Sequence, residues 1–232
     1  MIQPAEWPPI PEEEGTDAHP SLEPAPLIER SSPYEAAKRA FDIILSAAAL
    51  IVLFPVMLVI ALVIFLDDPK GGPIFAQTRC GLNGEPFKLY KFRTMIVGAE
   101  ERLIHLAARN EMSGPAFKIR DDPRITRAGR TLRRTGLDEL PQFFNVLKGE
   151  MSLVGPRPPL PNEYARYDER QCQRLQIKPG ITCYWQIQPQ RNNLSFDQWL
   201  ELDLKYIRER SLAVDIKILF KTFYAMCTAQ GE

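Results

Sequence analysis

The sequence predicts an α+β domain joined to a membrane helix, and three observations carry that prediction. One apolar run is long enough for a bilayer; β-prone pieces broken by turn signals follow it; amphipathic helical patterns with their own start signals follow those. A chain of 232 residues suffices for one domain of ordinary size with an appendage, and not for two independent cores.

Residues 1–33 hold eight prolines, Pro4, Pro8, Pro9, Pro11, Pro20, Pro24, Pro26 and Pro33, among seven acids and a single base, Arg30. Such a stretch cannot bury enough apolar surface to offset chain entropy, so it reads as a disordered acidic leader. It has no basic start leading into an apolar run, the mark of a secretory signal. The formal charge of the whole chain is zero, so everything after the leader is basic, which suits phosphate-rich partners.

From Ile43 to Leu66 the chain runs without a charge, long enough to cross a hydrocarbon core of roughly 30 Å. This run, within the membrane-helix segment 34–68, has basic residues on both flanks: Lys38 and Arg39 before, Lys70, Arg79, Lys88, Lys91 and Arg93 after. Positive flanks favour the cytoplasmic side. Pro55, near the middle, removes a backbone donor and can bend a helix into two arms. These residues leave two topologies open, a proline-kinked span and a hairpin that dips in and returns.

Residues 69–232 form the globular part. Gly71, Gly72, Pro73, Asn83 and Gly84 punctuate β-prone pieces and predict a hairpin. Helices are predicted over Ala99–Asn110 and Pro141–Lys148, from a capping box at Ser195 and Gln198 to about Arg208, and from Ser211 to about Cys227. The last of these carries Lys217 and Lys221 one turn apart amid large apolar side chains. It suits a membrane interface or packing on the domain equally.

The densest chemistry lies in RITRAGRTLRRTGLDELPQFFNVLKGEMSLVGPRP. Asp138 and Glu139 precede Pro141, and proline is tolerated only in a helix's first turn, so both carboxylates are expected at a helix start, where the dipole favours anions. There they are either a cap with a first-turn acid or a pair converging on a hard divalent ion such as Mg²⁺. Arg133 lies five residues upstream. Arg157 is held between Pro156 and Pro158, and arginine matches phosphate in a two-point fork. Lys91 and Arg93 alternate along YKFRTM and are expected on one side of a strand, facing phosphate or lipid headgroups. Cys80, Cys172, Cys183 and Cys227 form no CxxC pair and the chain has only two histidines, so packed, reduced thiols are expected and no zinc site. There is no GxxxxGK[ST] loop, no strand followed by GxGxxG, and no basic-aromatic interleaving, so the usual nucleotide folds and nucleic acid find no support.

Four stretches, QTRCGLNGEPFKLYKFRTM, DDPRITRAGRTLRRTGLDELPQFFNVLKGEMSLVGPRP, KPGITCYWQ and LSFDQWLELDLKYIRERSLAVDIKILFKT, resemble in content and order the monotopic phosphoglycosyl transferases, or bacterial sugar transferases. The resemblance covers about residues 34–232. It implies a re-entrant membrane helix broken near Pro55, with the active site at the cytoplasmic face of the bacterial inner membrane. It implies that Asp138 attacks the sugar-bearing phosphate of a UDP-sugar with release of UMP, and that polyprenyl (undecaprenyl) phosphate then takes the sugar phosphate, initiating a surface or exported glycan. Glu139 would hold Mg²⁺ with Asp138 or orient it, and Lys91, Arg133, Arg157 and Arg191 would contact phosphates. The chain departs from the family pattern at Cys183, where relatives usually have Gly, and at Gln190, Arg191 and Asn192, where they have Gly-Arg-Asn. The alternative from another class is a catalytically inert membrane scaffold that binds a phosphorylated lipid through the same arginines. Sugar identity and oligomeric state are not legible in these residues.

Overall fold

The computed structural model describes residues 32–102, 106, 110–111, 114–116, 119, 121–188 and 193–227. Helix α1 (Ser32–Asp67) is followed by strands β1 (Ile74–Cys80) and β2 (Pro86–Phe92), helices α2 (Arg127–Thr135) and α3 (Gln142–Lys148), and strand β3 (Ser152–Val154). Two single-turn helices, α4 (Pro161–Tyr164) and α5 (Glu169–Cys172), lead to strand β4 (Gly180–Thr182) and then to the long helices α6 (Phe196–Glu209) and α7 (Leu212–Cys227). The fold is mixed α+β with two small sheets.

α1 is long and apolar enough to cross a membrane, and only 17% of its most apolar stretch is buried. It runs as one helix through Pro55, so the expected break in helical structure is not found. Proline forfeits one hydrogen bond and can bend the axis while its own backbone angles stay helical. The apolar side chains on the outer face are exposed, Val52, Phe54, Val59 and Leu62 among them, whereas Ile60 and Ile64 are buried. Ile60 and Ile64 pack with Phe92, Leu132 and Leu140, and Leu53, Met57, Leu137 and Phe143 border that cluster.

β1 and β2 form the expected antiparallel hairpin, from Ile74 opposite Phe92 to Cys80 opposite Pro86. Its turn contains Asn83 at φ 54 and Gly84 at φ 81, the left-handed pair the sequence signalled. The second sheet is a parallel pairing of β3 with β4; nothing in the sequence announced it. The main core gathers Leu89, Val146, Met151, Leu153, Val154, Leu200, Leu204, Tyr206 and Ile218, so strands, α3, α6 and α7 share one interior.

α6 opens on the expected box, with Ser195 Oγ accepting from Gln198 N and Gln198 Oε1 accepting from Ser195 N. α3 begins at Gln142 with Pro141 at its cap position, so Asp138 and Glu139 are not its first residues. They occupy a separate 3₁₀ turn, Leu137–Glu139, one step earlier. α2, which the sequence reading missed, ends at Gly136 with φ 70, a left-handed cap that glycine adopts without steric cost. That cap turns the chain directly into Leu137–Glu139. Half of the helix expected over Ala99–Asn110 falls outside the described residues, and the described half is not α-helical: 99–100 are turn, 101–102 and 106 are 3₁₀, and 110 is irregular.

Candidate active site

The 3₁₀ turn that carries Asp138 and Glu139 is seated by its neighbours Leu137 and Leu140, both in the cluster built on α1. Asp138 is consequently buried, at 7% exposure, while Glu139 turns outward and accepts from Lys91 Nζ at 2.9 Å. Burial pushes the Asp138 carboxyl up to about 6; the charges of Lys91 and Arg133 pull it down and that of Glu139 pushes it up. Arg133, on α2, is itself held below its usual range by burial and is opposed by the charge of Asp138. Three expected site residues from three elements, Lys91, Arg133 and Asp138, thus share one small volume with Glu139.

Two devices hold this geometry. Arg133 Nε donates to Thr94 Oγ1 at 2.9 Å, fixing α2 against the exit of β2. α2 can come that close only because Gly129 has no side chain: a Cβ there would lie 2.1 Å from Thr94 O. On the other side, Asn145 of α3 pairs with the edge of β2, accepting from Tyr90 N at 3.1 Å and donating to Lys88 O at 2.6 Å. Its amide stands in for a third strand, and it locks the helix after the Leu137–Glu139 turn to the strand bearing Lys91.

Arg157 lies with its guanidinium 5.8 Å over the Trp199 ring, beside a cavity of about 10 Å³ that Glu163, Tyr167, Arg174 and Phe196 also line. Burial lowers Arg79 to about 10, and it feels the charges of both Arg157 and Glu139. Arg79 donates to Pro158 O at 3.1 Å and to Gln77 Oε1 at 2.7 Å. The sequence reading passed over this arginine, because a basic residue inside a strand looks like any solvated face; only its burial singles it out.

Arg93 sits elsewhere. It donates to Asp68 Oδ2 at 2.6 Å and to the carbonyls of Gly72 and Gly71 at 2.8 and 3.0 Å, clamping the end of α1 to the hairpin. Arg191, Gln190 and Asn192 lie outside the described residues. Cys183 is buried with Trp185, Phe196 and Trp199, and burial pushes its thiol well up, so there it serves as a small packed side chain.

A buried carboxylate that titrates near neutrality, with a second carboxylate, a lysine and arginines around it, can attack phosphorus while the cations balance the charge of phosphate groups. The bacterial sugar transferase family matches residues 33–229. The chain is 51% identical over 162 residues to the galactosyl transferase CpsE of Streptococcus agalactiae, covering 69% of this chain and 36% of that protein. It is 43% identical over 210 residues to the undecaprenyl-phosphate galactose phosphotransferase of Salmonella typhimurium, covering 88% and 43%. With the exopolysaccharide production protein ExoY of Sinorhizobium fredii it shares 41% identity over 202 residues, covering 84% and 88%. The chain therefore spans less than half the length of the first two relatives and most of ExoY. Because the match takes in α1, the 3₁₀ turn of Asp138 and Glu139 and every element that holds it, the chain belongs to the bacterial sugar transferase family.

Proposed function

We propose that this chain transfers a sugar 1-phosphate from a UDP-sugar to undecaprenyl phosphate at the cytoplasmic face of the bacterial inner membrane. The observation that carries the reading is Asp138, a buried carboxylate beside Lys91 and Arg133 on a turn that rests on α1. In the first step an Asp138 oxygen bonds to the sugar-bearing phosphorus, and the bond from that phosphorus to the UMP oxygen breaks. UMP leaves, and the sugar phosphate stays on Asp138 as an acyl phosphate. An oxygen of undecaprenyl phosphate then attacks the same phosphorus and the carboxylate departs, giving undecaprenyl diphosphate sugar. Lys91, Arg79, Arg133 and Arg157 supply positive charge to phosphate oxygens as the anions approach. Burial keeps water from competing for the acyl phosphate.

Asp138 and Glu139 fit Mg²⁺, which takes one or two carboxylates and completes its shell with substrate phosphates and water. Bound there, the ion would neutralise phosphate charge.

Re-entrant topology belongs to the same proposal. The first turns of α1 are tied to the globular domain by Lys38 and Asp215 at 2.6 Å, and its last by Asp67, which accepts from Ala128 N at 3.0 Å. A helix with both ends on one domain leaves the membrane on the side it entered, and Pro55 is where it would bend. Cysteines placed at 32 and 70 should label from the same side; labelling from opposite sides would overturn this.

The decisive assay is UMP release from UDP-galactose and UDP-glucose by detergent-purified protein with Mg²⁺ and undecaprenyl phosphate, wild type against Asp138→Asn. Turnover that requires the lipid and disappears in the variant supports the transfer. Unchanged turnover in the variant removes Asp138 as the nucleophile, and lipid binding without UMP release favours the scaffold.

A further inference from the structure

Glu35, Lys38, Arg39 and Asp42 recur at the spacing that places them on one face of α1, and every one of them meets the catalytic domain. Glu35 pairs with Arg210 at 3.0 Å and Lys38 with Asp215 at 2.6 Å. Arg39 donates to Val146 O and Leu147 O at 2.6 and 2.7 Å, capping the last carbonyls of α3. Asp42 Oδ1 accepts from Leu153 N at 3.1 Å. Lys38, Asp42 and Asp215 are buried. A basic flank that only set topology would face headgroups; this stripe faces protein.

The stripe converges on β3. Asp42 fixes Leu153, and Tyr206 Oη lies 2.6 Å from Asp215 Oδ1 and 3.0 Å from Val154 O, so the neighbouring Val154 is held by Tyr206, which itself contacts Asp215, the partner of Lys38. Val154 leads through Gly155 into Pro156, Arg157 and Pro158. With prolines on both sides, Arg157 has little freedom to correct an error in the strand that delivers it.

We propose that Asp42 is a positioning residue for Arg157: by holding Leu153 N it sets the strand from which the phosphate-facing guanidinium projects, so the membrane helix and the phosphate site move as one unit. This rests on the transferase reading above. Losing a buried acceptor should lower kcat/KM for the UDP-sugar about 10-fold in Asp42→Ala, chiefly through KM, with weaker affinity for UDP to match. Asp42→Asn, which keeps an acceptor oxygen, should stay within about threefold of wild type.

The test is a double-variant cycle with Arg157→Ala in the full-length chain, read as UDP affinity and as kcat/KM. If Asp42 acts through Arg157, Asp42→Ala should change UDP affinity by less than about twofold once Arg157 is gone. An equal loss in both backgrounds, as general destabilisation would give, overturns the proposal, and so does an Asp42→Asn as impaired as Asp42→Ala. Should Asp42→Ala fail to fold, Asp42→Ser, polar but one bond shorter toward Leu153 N, carries the same cycle with the same expectations. A wild type that releases no UMP sinks the transferase reading and this proposal with it; an active wild type with an additive cycle sinks the positioning role alone.

Discussion

Asp138 keeps its proton to about pH 6 because burial removes the water that would stabilise its charge. An unfolded aspartate titrates near 3.8, so the folded protein binds that proton more tightly. The stability this lends is present in full below about pH 4 and is lost as pH rises through about 6, a cost on the order of 3 kcal/mol above that. Asp138→Asn should therefore raise Tm by about 5 °C at pH 8 and change it little at pH 4, as thermal scans at the two values would reveal. Lys91 opposes the shift. If Asp138 is the nucleophile, as proposed, Lys91→Met should carry the acid limb of the pH–rate profile to higher pH, and an unmoved limb would mean that the lysine does not act on Asp138.

At the level of elements, the turn of Asp138 and Glu139 is placed by what flanks it. α2 approaches through Gly129, and α3 is tied to β2 through Asn145, which is fully buried and also donates to Glu150 at 2.7 Å. Asn145→Ala would leave Tyr90 N and Lys88 O without their partner. We expect a loss of about 2–3 kcal/mol in denaturant unfolding, the scale of stranded buried backbone groups. Asn145→Asp keeps the acceptor for Tyr90 N and loses the donor to Lys88 O, and should fare no better, since its carboxylate would face both that carbonyl and Glu150.

Across the whole molecule, α1 serves lipid and protein with different faces. Its outward side chains have no protein neighbours to lose, whereas Ile60 and Ile64 form the floor under Leu137 and Leu140. Val52, 72% exposed, should accept serine with Tm unchanged in detergent, while Ile60→Ala should cost about 2–4 kcal/mol through the cavity it leaves and lower turnover as well. Comparing Tm with the rate of UMP release in the two variants would test this division. Equal effects would mean that α1 is an anchor and nothing more.

The sequence by itself determined the features that local chemistry fixes. Twenty-four uncharged residues specify a lipid-compatible helix; Asn83 with Gly84 specifies a hairpin turn; Ser195 with Gln198 specifies where α6 starts; and the motifs around Asp138 point to phosphate chemistry. These signals are legible because each arises within a few neighbouring residues. Tertiary structure decided the rest. α2 escaped notice because it is nine residues long with Leu132 as its one large apolar side chain, and the β3–β4 pairing joins strands of three residues far apart in the chain. Arg79 and Arg93 look alike in sequence, yet one donates to Pro158 O beside Arg157 and the other clamps a loop to the end of α1. Whether a charged side chain meets water, a carboxylate or a substrate phosphate depends on what the fold brings beside it, and that depends on contacts between residues tens to hundreds of positions apart.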